Sequence, residues 1–155
     1  MKKALVLLCG LLLVSGLFAE TNKMTIGINF GTMTDKDFSF NPFLWTVGGE
    51  LDIPFGRSLM FSPELMIVGY QFKFKEFVAF PAVILNATFS NFFAGGGLAK
   101  GFYIGSGTAT ELTEVALKLN AGFLSESLKI TAYIITPFDA IFGDMVVGAS
   151  LGFRL

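Results

Sequence analysis

What most constrains this chain is a two-residue hydrophobic period that recurs in one segment after another. Met24, Ile26, Ile28 and Phe30 alternate with Thr25, Gly27, Asn29 and Gly31, the pattern of a strand with a single apolar face. Trp45, Val47, Gly49, Leu51 and Ile53 then alternate with Thr46, Gly48, Glu50 and Asp52, before Pro54, Phe55 and Gly56 turn the chain. Leu59, Phe61, Leu65 and Ile67 stand against Ser58, Ser62, Glu64 and Tyr70, and a Lys/Glu-containing connection over 72–76 leads onward. Further along, Val115, Leu117, Leu119, Ala121 and Phe123 face away from Glu114, Lys118, Asn120 and Gly122. Leu128, Ile130, Ala132 and Ile134 do the same against Lys129, Thr131 and Tyr133. The final segment sets Met145, Val147, Ala149, Leu151, Phe153 and Leu155 opposite Val146, Gly148, Ser150, Gly152 and Arg154.

The uncharged run from Phe77 to Ala99 is long enough to cross a bilayer as a helix. Pro81, the turn-forming Ser90-Asn91 and the triplet Gly95, Gly96 and Gly97 argue against it, because a helix interior tolerates neither proline nor consecutive glycines well. The run reads instead as two strands joined by a tight turn, with Asn86 and Thr88 the polar members of the first. The expected fold is therefore all-β: eight antiparallel strands in an up-and-down barrel, with turn signals between them.

Two walls of such a barrel must be told apart. Glu50, Asp52, Glu64, Lys118, Lys129 and Arg154 all lie on the face opposite the continuous Leu/Ile/Val/Phe stripe. With 53% of the 155 residues hydrophobic and 15% charged, a water-facing outer wall would carry one or two charges per strand, too few for a soluble surface. The inverted arrangement fits better, with the apolar stripe in lipid and the ionic residues in the lumen. Gly27, Gly31, Gly48, Gly122, Gly148 and Gly152 share the polar face, where a narrow lumen needs small residues beside large ones. Buried charges need partners, so the three acids and three bases are expected to pair across the lumen.

Residues 1–19 have the zones of a secretory signal peptide: Lys2 and Lys3, an apolar run from Ala4 to Val14, and small residues before Glu20. Cys9 lies too early in that run for lipoprotein attachment, and residues 20–155 contain no Cys, which suits an oxidising compartment. The expected organisation is a signal peptide over 1–19 and a barrel domain over 20–155.

The absence of His removes the usual general base of triads and the commonest zinc sites. A near balance of 11 Lys+Arg against 12 Asp+Glu leaves no basic footprint for nucleic acid. No catalytic residue, cofactor or metal is expected, and no nucleic-acid partner. Pairing is the simpler use of Glu50, Asp52 and Glu64 than acid-base catalysis.

The segments FSPELMIVGY (61–70), VAFPAVIL (78–85), FFAGGGLAKGFYIG (92–105) and GASLGFRL (148–155), together with the signal peptide, resemble the small bacterial outer-membrane β-barrels, porin-like and OmpA/OmpX-like. The resemblance implies outer-membrane lipid as the surroundings and insertion by the barrel-assembly machinery. That machinery would read the closing strand, here Leu151, Phe153 and Leu155, although an aromatic residue does not come last. One Trp and three Tyr against 19 Phe mean that Phe must fill most interfacial positions. The termini are expected in the periplasm, with outer loops near 33–42, 71–76, 104–113 and 138–144; their scattered charges read as a solvated rim. Lys100 could line the rim or snorkel outward.

The functional expectation is a non-enzymatic outer-membrane barrel with a structural or surface-interaction role, its lumen largely filled by paired charges. A narrow porin-like channel and a periplasmic lipocalin-like carrier of an apolar ligand are the alternatives. Processing is directly measurable: the intact mass of membrane-extracted protein should match a chain beginning at Glu20 or within a few residues of it. Recovery of a chain still carrying Met1 would remove the signal peptide.

Overall fold

The structure, a computed structural model, describes residues 23–38, 43–70, 73–105, 111–138 and 143–155. The signal peptide expected over 1–19 lies outside the described residues. Eight strands follow one another: β1 (Thr25–Asp35), β2 (Leu44–Phe55), β3 (Leu59–Tyr70), β4 (Lys73–Phe89), β5 (Phe92–Gly105), β6 (Glu111–Leu124), β7 (Leu128–Pro137) and β8 (Val146–Arg154). Each pairs antiparallel with its sequence neighbours, and β1 pairs with β8 to close the barrel. Closure removes the two sheet edges that an open sheet of this apolarity would expose.

At one end the strands are joined tightly. Gly56 takes a φ of +63° in the β2–β3 turn, a left-handed conformation that glycine reaches without steric penalty. Ser90 and Asn91 make a two-residue hairpin between the paired Phe89 and Phe92. In the β6–β7 turn Ser125 clasps Leu128: its backbone N–H donates to the Leu128 carbonyl at 2.8 Å, and its hydroxyl accepts from the Leu128 N–H at 3.1 Å. The first described residues and the C-terminus share this end. The three longest connections, β1–β2, β5–β6 and β7–β8, leave the opposite end, together with the short β3–β4 link over 71–72.

The strands reach further toward those longer connections than hydropathy indicates. β4 begins at Lys73 and β6 at Glu111, within the stretches read above as loops over 71–76 and 104–113. Ladder pairing continues there through Tyr70↔Lys73 and Glu76↔Gly105. Backbone hydrogen bonding does not require an apolar side chain, so polar strand ends persist above the lipid-facing band.

The outer wall carries the apolar stripe. Ile26, Ile28, Phe30, Leu65, Val83, Leu85, Leu98, Ile130, Leu151 and Phe153 are all exposed. Toward the tight-turn end the rim is built of phenylalanine, with Phe92 and Phe123 edge to face at 5.8 Å and Phe55 and Phe61 at 6.4 Å. Trp45 and Tyr70 sit toward the other end. Trp45 lies over Gly69, its cross-strand partner on β3, where a Cβ would run into the indole ring. Lys100 shares the outward parity of Leu98, between the buried Ala99 and Gly101 and in register with Val115. A row of small residues, Ala87, Ala94, Ala121, Ala132 and Ala149, runs in direct register from β4 to β8. It forms a furrow between larger side chains on either side.

This wall corrects the carrier alternative. A lipocalin-like protein needs its apolar face inward around a ligand cavity, whereas here that face is outward and the mid-lumen cavity measures only about 10 Å³. Placing arginine on the lipid face should be costly. Ile28→Arg, Leu117→Arg and Leu151→Arg should each destabilise the barrel by about 2–4 kcal/mol near mid-bilayer, read as a lower urea midpoint for unfolding from lipid vesicles.

Candidate functional site: the charged lumen

Inward-facing positions are set by strand parity, and β2 brings two acids into the lumen in succession, Glu50 and Asp52. Glu64 on β3 is the direct cross-strand partner of Glu50. Two carboxylates side by side on one wall repel, and both need cations from elsewhere. β6 and β7 supply them from the opposite wall.

Lys129 of β7 is almost completely buried and reaches across to β2. Its Nζ donates to Glu50 Oε2 at 2.8 Å and to Asp52 Oδ1 at 3.0 Å, while lying 5.0 Å from the centre of the Phe93 ring. Asp52 is tied further: the Ser62 hydroxyl donates to its Oδ1 at 2.7 Å, and Asn86 Nδ2 donates to that hydroxyl at 3.0 Å. Arg154 of β8 stands with Nε 3.5 Å from Asp52 Oδ2 and donates from Nη1 to the Ser125 carbonyl at 2.7 Å. This first cluster thus joins β2, β3, β4, β7 and β8.

The second cluster lies nearer the end of the longer connections. Lys118 of β6 donates to Glu64 Oε1 at 2.5 Å and sits 4.6 Å from the centre of the Tyr133 ring. Tyr133 itself lies flat over Gly148, its partner on β8, at a position where any Cβ would overlap the phenol. Gly27 is spared a side chain for a similar reason, because a Cβ there would stand 2.9 Å from Glu50 Cγ and Oε1. Each lysine is therefore held by carboxylate and by an aromatic face, two attractions that strengthen away from water.

All six ionic residues singled out from the sequence meet in the lumen, in two groups: Lys129 and Arg154 with Glu50 and Asp52, and Lys118 with Glu64. Ser62, Asn86, Phe93 and Tyr133 were not singled out. Asn86 had a signal, being an isolated amide in an otherwise apolar strand.

The expectation that paired charges largely fill the lumen holds for only part of its length. Beyond Lys118 and Glu64 the interior becomes apolar, where Met33, Met66, Val68, Ala116, Tyr133 and Ile135 pack together, joined by Leu44, Val78, Phe80 and Val146. Toward the tight turns the lumen instead opens into a vestibule of about 540 Å³, bordered by Lys23, Arg57, Glu126 and Arg154 among others. The lumen is thus open and charged at one end and sealed by aliphatic and thioether side chains at the other. Leu151 and Phe153, the residues of the expected assembly signal, project from the outer wall, with the exposed Leu155 just beyond β8.

Comparison with known proteins finds a match in structure only. No protein-family model matches the sequence, and no curated protein does. Among solved structures, the N-terminal β-barrel domain of Pseudomonas aeruginosa OprF is 14% identical, with 84% of this chain and 97% of that one covered, at a TM-score of 0.51. The fold is that of a small transmembrane β-barrel. Designed transmembrane β-barrels also align, at 10% identity over 88% of this chain and 99% of theirs with a TM-score of 0.49. So does the outer membrane protein Ail of Yersinia pestis in a phospholipid bilayer nanodisc, at 14% identity over 87% and 100% with a TM-score of 0.46.

The geometry ranks the ionic residues by what their loss strands. Lys129→Met leaves Glu50 and Asp52 short of their shared cation and should cost about 3–5 kcal/mol. Lys118→Met should cost more than the double variant Lys118→Met/Glu64→Gln, because the double variant leaves no uncompensated carboxylate. Urea unfolding of detergent-folded protein measures both; strictly additive single-variant costs would contradict the Glu64–Lys118 coupling.

Proposed function

We propose that this chain is an integral protein of a bacterial outer membrane, non-enzymatic, with a structural or surface-interaction role and a lumen that does not conduct. The observation that carries this reading is the union of a lipid-compatible outer wall with a lumen sealed over part of its length by apolar packing. The fold shared with the OprF barrel domain supports it. Three tight turns lie at the end that holds the first described residues and the C-terminus, and the three longest connections lie at the other, the usual arrangement when short turns face the periplasm and longer loops face outward. On that orientation the termini are periplasmic, and Leu151, Phe153 and Leu155 are offered to the barrel-assembly machinery. Outer-membrane lipid is then the partner of the whole apolar wall, and the longer connections are the surface available to anything outside the cell.

A narrow channel is the second reading, favoured by the charged vestibule that leads inward from the tight-turn end. The two readings differ in what stops an ion. Protein should fractionate with outer membranes, and unheated samples should migrate differently from boiled ones on a detergent gel. In a planar bilayer it should give no steady current steps. Stable, ion-selective steps from the unmodified chain would replace the closed barrel with the channel, and recovery in the soluble periplasmic fraction would remove both.

A further inference from the structure

Between the Lys118–Glu64 pair and the apolar seal the lumen encloses a small cavity, lined among others by Asn29, Thr46, Glu50, Lys118, Asn120 and Tyr133. The centre of a water molecule has about 10 Å³ in which to move there, close to what a single bound water requires. Two of the lining side chains bring a buried polar atom that has no protein partner, Glu50 Oε1 and Asn120 Oδ1, and the buried Tyr133 Oη beside them interacts with the Thr46 side chain, which leaves its own proton to donate. Glu50, Asn120 and Tyr133 are each more than nine-tenths buried, at 7%, 8% and 3% exposure. Buried polar atoms in folded proteins are almost always satisfied, by protein or by ordered water.

The donor and acceptor types narrow the occupant. Glu50 Oε1 and Asn120 Oδ1 can only accept, while the tyrosine hydroxyl can donate. A molecule with two donors and at least one acceptor meets all three, and within this volume that molecule is water. Charge argues against an ion. The other oxygen of Glu50 already accepts from Lys129 at 2.8 Å and Lys118 also borders the cavity, so a cation would face an ammonium and an anion would face carboxylates.

We infer that this cavity is a binding site for one ordered water, which donates to Glu50 Oε1 and Asn120 Oδ1 and accepts from the Tyr133 hydroxyl. The site links β2, β6 and β7 across the lumen, next to the two ion-pair clusters and below the apolar seal. It depends on the lumen geometry alone and not on the membrane or role proposed above, so its failure would leave that reading untouched.

The test is NMR on isotope-labelled, full-length mature protein folded in detergent micelles. Cross-peaks between the water resonance and the Asn120 Hβ and Tyr133 ring protons should appear with opposite signs in NOE and ROE spectra, the mark of a water resident for longer than about a nanosecond. In Tyr133→Phe the Asn120 cross-peaks should persist with the same signs, which separates bound water from relay through the exchanging phenol proton. Absent or equal-sign cross-peaks in the unmodified protein would overturn the site, as would loss of the Asn120 cross-peaks in Tyr133→Phe. A urea midpoint that shifts when sodium replaces potassium at equal concentration would point to a bound cation and overturn it as well.

Discussion

Glu50 and Glu64 are direct cross-strand neighbours facing into a lumen too narrow to hydrate both. Two carboxylates so placed repel each other, and the wall that carries them is not stable as a charged surface on its own. Everything else in the lower lumen answers this constraint. Lys118 and Lys129 come from the opposite wall, each directed at one of the two acids. Phe93 and Tyr133 present ring faces to those ammonium groups, and Ser62 and Asn86 satisfy what remains of Asp52. Glycines at 27 and 148 leave the room that Glu50 and Tyr133 occupy. The acids, the bases, the rings and the glycines form one arrangement spread over most of the barrel's circumference.

The same arrangement explains why the lumen is divided along its length. Ion pairs can be buried where each charge has a geometrically good partner, and all six ionic residues are consumed in doing so. Toward the longer connections the packing is carried by apolar side chains instead. There Met33, Met66, Val68 and Ile135 fill the cross-section, and unbranched methionine suits the irregular space left between tilted strands. The vestibule at the other end is bordered by Arg57, Lys23 and Glu126, side chains suited to contact with water.

Much of this was legible in the residues before any coordinates. Alternation identified six of the eight strands and separated the lipid wall from the lumen wall, because a period of two reports directly which side of a sheet each residue faces; the turn signals at Pro81, Ser90-Asn91 and Gly95 to Gly97 marked the other two. The six ionic residues stood out because they shared one parity. Their pairing was harder to read: which lysine meets which acid depends on where β6 and β7 fall opposite β2 and β3 after closure, and no local pattern encodes that. The apolar seal was missed for a related reason. Met66 and Val68 follow Glu64 on the inward face of β3, and parity does not distinguish a lumen position that must be charged from one that is merely filled. The ends of β4 and β6 escaped notice because their polar residues continue a backbone ladder that hydropathy does not register.

The residues tied across the lumen are far apart along the chain: 54 positions separate Glu64 from Lys118, 79 separate Glu50 from Lys129, and 77 separate Asp52 from Lys129. Neighbouring hairpins can zip from their turns with little loop-closure entropy, but these contacts must wait until distant hairpins meet. Until then an inserted, still open sheet would hold two ammonium groups against hydrocarbon with no counter-charge, a penalty of about 2.5–3.5 kcal/mol each on insertion scales. The ion pairs therefore act on the order of assembly as well as on the finished barrel. They disfavour any pathway in which strands enter the bilayer one hairpin at a time, and they couple passage into the membrane to joining of the first strand with the last.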